Sequence, residues 1–552
     1  MSRRETLASI ALIFAVAALV RAAMAAQIVF PRPEDTAYYV HVARNLLEGR
    51  GLVSDSLWSY HTPPLEFPRP AFEVWLPLPT FLAAATMTLF GLTFAAAQVS
   101  SVLVSSIAPV LAWRLAADVA EERALPRGRA RTLALGTGLT AAVYLPLVLY
   151  GALPDSTAPF TVLTLAAVLL MTRLARSPRG ARLNDPRLIA LGAVLGLAAL
   201  TRNEATILAL VWVGVAWFAT GAGRAVRVRL IGVAAVVALA IFAPWSYRDW
   251  LVFGSPLPGQ AAVNALSVVG RDIFAWNDPP TLARYLAVGP ARLLEMRVEG
   301  AFHNVVNVLL LLGIPIAPIG FLALPWAGRG RTLRPLLAVA LATFALDSLV
   351  FPVATTLGTF LHGAGAIHVL VVLACLLALD AALAWLAARL GWHRPVGWLG
   401  PAMAVFGGAL FTVGLLTSFG TDARETADRF AAMNRYLTVS GAAPGTDGPI
   451  ITDFPIWLAD TTEANALALP NEPAANVLDL ARAFKGTRLV VVFDSEPDEG
   501  DPGPDPLWPA AATQGPGSEC FQPSPIDPAP GTLTEREREL LRDVRMFWID
   551  CP

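Results

Sequence analysis

PEDTAYYVHVARNLLEGRG, residues 33–51, follows directly on the first apolar segment of the chain. It sets an adjacent acidic pair, Glu34 and Asp35, at the membrane exit of that segment. From Asp35 to Gly49 the side chains Tyr39, Val42, Ala43, Leu46 and Leu47 recur at helical spacing and make one apolar stripe. Asp35 stands where a helix N-cap is expected and Gly49 where a helix stops. Such a helix is expected to lie on a membrane surface and hold a carboxylate at the water–lipid boundary. Capping alone would also account for Asp35, and a cap residue can still present a free oxygen.

The rest of the chain puts that helix in a membrane protein. Hydrophobic residues make up 55% of it and charged residues 15%, and long apolar runs fill its first three quarters. The net charge of −1 hides a strong segregation, and a nucleic-acid partner is not expected. Nearly every basic residue is Arg, Lys485 being the one lysine. The opening MSRRETLASIALIFAVAALVRAAMAAQ has the outline of a signal peptide, but a retained anchor is the expectation.

Arginine predicts the topology. MSRRE, EERALPRGRAR, TRLARSPRGARLNDPR, TGAGRAVRVR, AGRGRTLR and AARLGWHR are densely basic and belong on the cytoplasmic side. That assignment makes 74–91, with Pro77 and Pro79, an interfacial or re-entrant helix in a first outer loop over 30–94. Spans are then expected near 7–29, 95–117, 133–150, 157–174, 187–200, 204–219, 229–249, 301–323, 335–352, 366–388 and 399–418. The total is about eleven crossings, from a cytoplasmic N-terminus to an outer C-terminus. The segments 187–200 and 204–219 fall short of the roughly twenty residues a spanning helix needs. Between them LTRNEA places Arg202 and Glu204 at a depth where charge must face protein or a water-filled cavity. Either Arg202 serves an anionic ligand, or it pairs with Glu204 and closes a turn.

Residues 1–418 thus read as a helical membrane domain and 419–552 as a small extracytoplasmic α/β domain. In the latter, acids outnumber bases about two to one. GPIITD, TRLVVVFD and VRMFWIDC predict strands, AANVLDLARAFKG and TLTEREREL predict helices, and 494–530 reads as an irregular loop. In an oxidising exterior Cys520 and Cys551 are expected to bond. No CxxC or Cys/His cluster suggests zinc.

Several outward positions carry reactive side chains: Asp155 in ALPDSTAPF, Glu66 and Glu73 beside His61 and Arg69, Tyr247 and Arg248 in PWSYRDWLVFGSPLP, and His362 in GTFLHGAGAIH. They can be ordinary loop ends, or one shared site on the side that bears Asp35.

Taken in order, DTAYYVHVARNLLEGRG, FPRPAFEVWLPLP, LFGLTFAAAQ, LTRNEA and PWSYRDWLVFGSPLP resemble the GT-C glycosyltransferases, in their bacterial family 39-like branch related to protein O-mannosyltransferases. The resemblance covers most of residues 1–420. It implies inverting transfer of a hexosyl or pentosyl group from a polyprenyl-phosphate sugar, outside the cytoplasmic membrane. The acceptor would be a hydroxyl of a cell-envelope glycan, lipid or protein. It implies a general base at Asp35, with Glu34 as the lesser candidate, and a second-loop acid at Asp155. Arg202, Arg248, Tyr247, Glu73 and His362 would bind substrate. A divalent metal, held by Asp155 or Glu73, is left open, because the second loop reads PDS and LTRNEA has Asn203 where the family commonly has Pro. The competing readings are a transporter, which also breaks helices at midplane, and a scaffold whose outer domain binds a partner.

Overall fold

The computed structural model describes residues 3–176, 185–392, 396–440, 448–493, 508, 511–526 and 531–551. They form two compact units. One is helical and takes in Met1–Ile28, Trp75–Arg248 and Arg297–Phe419. The other is mixed and takes in Val29–Val74, Asp249–Met296 and Gly420–Pro552.

In the helical unit every segment expected to span contains helix, with breaks inside 133–150 and 301–323. By length and composition, six helices of the described chain can cross a membrane: Arg3–Gln27, Phe94–Glu122, Thr157–Arg176, Arg224–Phe253, Gly365–Arg389 and Leu399–Val439. A seventh is the pair Gly289–Leu311 and Ile316–Ala327, bent by 116°. The other expected crossings are shorter helices, Arg127–Val143, Pro186–Ala199, Ala205–Gly214 with the π-turn Val215–Ala219, and Arg334–Leu349. The Pro-rich 74–91 stretch forms the 13-residue helix Leu78–Phe90, too short to cross alone.

One helix break positions later detail. Arg127–Val143 stops at Tyr144 because Pro146 has no N–H to give the Ala142 carbonyl. Side chains take over the orphaned carbonyls. Arg21 Nη1 donates to Ala142 O at 3.0 Å, and Thr412 Oγ1 to Val143 O at 2.7 Å.

The mixed unit is built on a six-stranded sheet. Its strands in chain order include β1 (Val53–Ser54), β2 (Ser56–Leu57), β3 (Arg69–Pro70), β4 (Ile450–Thr452), β5 (Ala466–Ala468), β6 (Leu489–Val492), β7 (Phe521–Ser524) and β8 (Arg545–Ile549). The sheet runs β2-β5-β4-β6-β8-β7, while β1 and β3 pair separately. β2, β5, β4 and β6 are mutually parallel, and β8 is antiparallel to both its neighbours, β6 and β7. β4, β5 and β6 are buried throughout, so they show no alternation of apolar and polar residues and, Thr452 apart, are apolar. Helices Pro455–Thr462 and Ala474–Ala483 make the crossovers β4–β5 and β5–β6. Thr534 caps Glu535–Leu540 in a capping box with Glu537.

The strands expected from GPIITD, TRLVVVFD and VRMFWIDC are β4, β6 and β8. β2, β5 and β7 were not foreseen. β2 comes from the first outer loop and pairs Ser56 and Leu57 with Ala466 and Leu467 across some 400 residues of chain. Cys520 and Cys551 are bonded, with Cα atoms 5.2 Å apart. The expected irregular loop at 494–530 lies mostly outside the described residues.

Candidate active site

The mixed unit carries the acidic pair. Its helix runs Glu34–Leu47 with Pro33 at the N-cap and no side-chain cap bond. This corrects the capping assignment of Asp35, which lies inside the first turn. There the helix N-terminus favours an anion without consuming its oxygens in a cap. Gly49, at φ 81°, ends the helix as expected, in the left-handed conformation that suits glycine. The apolar stripe is not one-sided. Thr36 to Ala43 are all buried, so the helix is packed on all faces over this stretch.

What holds the helix is polar. His41 is clamped between two carboxylates, with Nδ1 3.2 Å from Asp460 Oδ1 and Nε2 3.0 Å from Asp55 Oδ2. Arg44 bonds Asp460 at 2.8 Å, and Arg50 bonds both oxygens of Asp55. Burial opposes a charge on His41, but the Asp460 and Asp55 carboxylates outweigh it and raise its pKa above the usual 6.5. The same network holds Asp55 and Asp460 below the usual carboxylate range despite their burial. A raised histidine pKa contributes stability that is complete below about 6.5 and is lost as pH rises through the folded value. We therefore expect protection of the 34–47 amides from hydrogen exchange to fall between pH 6 and 9. In His41→Gln that pH-dependent part should be absent, and protection at pH 6 should drop by about 1.5–3 kcal/mol. Equal profiles for the two proteins would exclude the clamp.

Glu34 is committed elsewhere. Its Oε1 accepts from Ile456 N at 3.0 Å and Trp457 N at 3.3 Å, capping the helix Pro455–Thr462. Burial, helped by Asp453 and Asp35, pushes its carboxyl up to about 8 against those two N–H groups. Asp453 follows β4 and accepts from Phe493 N at 3.0 Å, just past β6. Crossovers leave β4 toward β5 and return to β6 on its other side, so Glu34 and Asp453 sit at the carboxyl ends of a topological switch point. In α/β sheets that is where ligands collect. Glu73 is buried, with Arg69 Nε 3.8 Å away.

The helical unit holds the other group. Asp155 Oδ1 accepts from Thr157 N at 2.8 Å, and its Oδ2 is 3.6 Å from His362 Nδ1. His362 Nδ1 also meets Thr157 Oγ1 at 2.7 Å. It rides on the short helix Thr359–Gly363, which starts from Gly358 at φ 111°. Arg202 reaches Ser156 Oγ at 2.9 Å and Thr359 O at 3.2 Å, and holds Glu204 Oε1 through Nη2 at 2.5 Å and Nε at 3.1 Å. The arginine–glutamate pair, one of the two readings of LTRNEA, is therefore formed. Asp347 is buried beside Gly363 and Glu204. The structure thus gathers Asp155, Arg202 and His362. Arg248 lies over the Trp245 ring at 4.9 Å, and Tyr247 is 58% exposed. Among the described residues no three His, Cys, Asp or Glu side chains form a group that could hold a metal ion.

The model of the dolichyl-phosphate-mannose-protein mannosyltransferase family matches residues 69–248. No curated protein matches the sequence. Among solved structures, ArnT from Cupriavidus metallidurans bound to undecaprenyl phosphate is 15% identical, with a TM-score of 0.54 over 88% of this chain and 93% of that one. The Archaeoglobus fulgidus oligosaccharyltransferase in complex with zinc and sulfate is 15% identical, with a TM-score of 0.54 over 87% of this chain and 67% of that one. The chain has the GT-C fold.

It is accordingly a multi-pass membrane protein, as its apolar helices require. The family match spans Glu73, Asp155, Arg202, Tyr247 and Arg248. It begins after Asp35 and ends before His362. Reading the sequence missed Asp347, although an acid inside the apolar run LATFALDSLV is a signal in its own right. It also missed the His41–Asp55–Asp460 clamp, which no spacing announces.

Proposed function

We propose that this protein is a membrane glycosyltransferase. It would move a sugar from a polyprenyl-phosphate donor to a hydroxyl of a cell-envelope acceptor, with inversion. The observation that carries the reading is the GT-C fold over 88% of the chain, shared with ArnT crystallised on undecaprenyl phosphate. The family match over 69–248 supports it.

The chemistry asks little of the protein. A polyprenyl phosphate is a good leaving group, so no general acid is needed. Asp35 takes the proton of the acceptor hydroxyl while that oxygen attacks the anomeric carbon. The bond to the phosphate oxygen breaks on the opposite face, its electron pair leaves with the phosphate, and the anomeric configuration inverts. A guanidinium stabilises the departing phosphate. Arg202 and Arg248 are the two arginines proposed for that role. Asp155 and His362, with Tyr247 and Glu73, are proposed to shape the substrate site. These steps use only the chain's own side chains.

The test is donor consumption by the purified full-length protein, with the product's anomeric configuration read by NMR. Hydrolysis or transfer with retention would refute inversion. An intact donor in the presence of envelope acceptors would refute the enzyme.

The arginine pattern supports a cytoplasmic-membrane location, with the N-terminus inside and 419–552 outside. A reporter fused after Arg131 is expected to be cytoplasmic. External labelling there would overturn the orientation.

A further inference from the structure

A small cavity inside the helical unit shares Thr157 with the Asp155–His362 group but is lined by none of the residues placed in the reaction above. It measures about 20 Å³ and is lined by Arg21, Ser105, Tyr150, Thr157, Thr161 and His368, with apolar side chains completing the wall. Room of that size holds about one water-sized particle. Arg21 comes from the first helix and is fully buried. Its Nη1 is spent on Ala17 O and Ala142 O, the second of these being the carbonyl that Pro146 orphans. Among the described residues its Nε and Nη2 have no hydrogen-bond partner. Among the described residues Arg21 makes no ion pair, and no carboxylate lines the cavity. Gly151 keeps the space open on this side, since a Cβ there would fall 2.8 Å from both Arg21 Nε and Ser105 Oγ.

A cavity that faces an unsatisfied buried guanidinium calls for an occupant that can accept its N–H groups. Water could satisfy the N–H groups of these two nitrogens, but it would leave a full positive charge in a low-dielectric interior, which is costly unless paired. A phosphate or a carboxylate is too large for the space. The geometry points to a monatomic anion of the halide class, bound by Arg21 Nε and Nη2 inside the first-helix bundle. The ion neutralises the guanidinium and so lets one residue mend the broken helix at Pro146 without an unpaired charge. The site is distinct from the donor phosphate, which needs an opening for a lipid.

The experiment is thermal unfolding of the full-length protein in chloride, bromide or gluconate at equal ionic strength. Chloride and bromide are expected to raise Tm by about 2–4 °C over gluconate, which does not fit. Arg21→Gln keeps an amide donor for Ala142 O but removes the charge, and should abolish the difference between salts. Bromide-soaked crystals of the unmodified protein should show an anomalous peak beside Arg21. This arm needs no variant, so it decides the matter if Arg21→Gln fails to fold. Identical Tm values in the three salts, or a water without anomalous signal at that position, would overturn the proposal.

Discussion

Asp35→Asn is expected to insert and fold normally and to lose about 10²–10⁴-fold in turnover, the usual share of a general base. The structure sharpens the comparison. Asp35 is not the helix cap, so Asn at this position removes the basic oxygen without removing a cap bond. Glu34→Gln is the matched control. Its amide oxygen can still accept from Ile456 N and Trp457 N, so the neighbouring helix keeps its cap and activity should fall far less. Transfer from a polyprenyl-phosphate sugar is measured at equal protein levels. An active Asp35→Asn beside a dead Glu34→Gln would move the base to Glu34. Two active variants would make the pair structural and end the mechanism.

The second large effect is on stability. Arg202 and Glu204 are both nearly buried, with side chains 13% and 8% exposed. Arg202→Leu strands Glu204 beside Asp347 with no cation, and is expected to cost about 3–5 kcal/mol. Replacing both partners, Arg202→Leu with Glu204→Leu, should recover most of that loss, because an apolar pair of similar volume carries no desolvation penalty. Thermal unfolding of the three proteins reads the difference. If Arg202→Leu is as stable as the unmodified protein, the pair contributes nothing and Arg202 is free to serve a ligand.

Much of the architecture was legible because its signals are local. Twenty apolar residues in a row announce a span whatever surrounds them. The strands β4 and β6 were legible because buried parallel strands leave apolar runs, and the antiparallel β8 from its run Met546–Ile549. β2, with two residues, was not, because its only reason to be extended is the edge of β5. The helix after Pro33 was legible from its period, but its surroundings were not. A stripe of Tyr39, Val42 and Ala43 looks the same whether it meets lipid or protein, and here the helix is enclosed over Thr36–Ala43.

The sequence by itself determined the membrane class, the helical and α/β portions, the Cys520–Cys551 candidates and the presence of an acidic pair after the first span. Those follow from composition, period and order along one chain. Only the tertiary structure decided which of two adjacent acids caps a distant helix. Glu34 caps a helix that begins at Pro455, more than 400 residues away, and Asp35 does not cap its own. Only it decided that Arg202 holds Glu204, and that Arg21 mends a break at Pro146. Each of these is a choice of hydrogen-bond partner. Buried donors and acceptors must find one, but the partner can lie anywhere in the chain, so no local pattern names it.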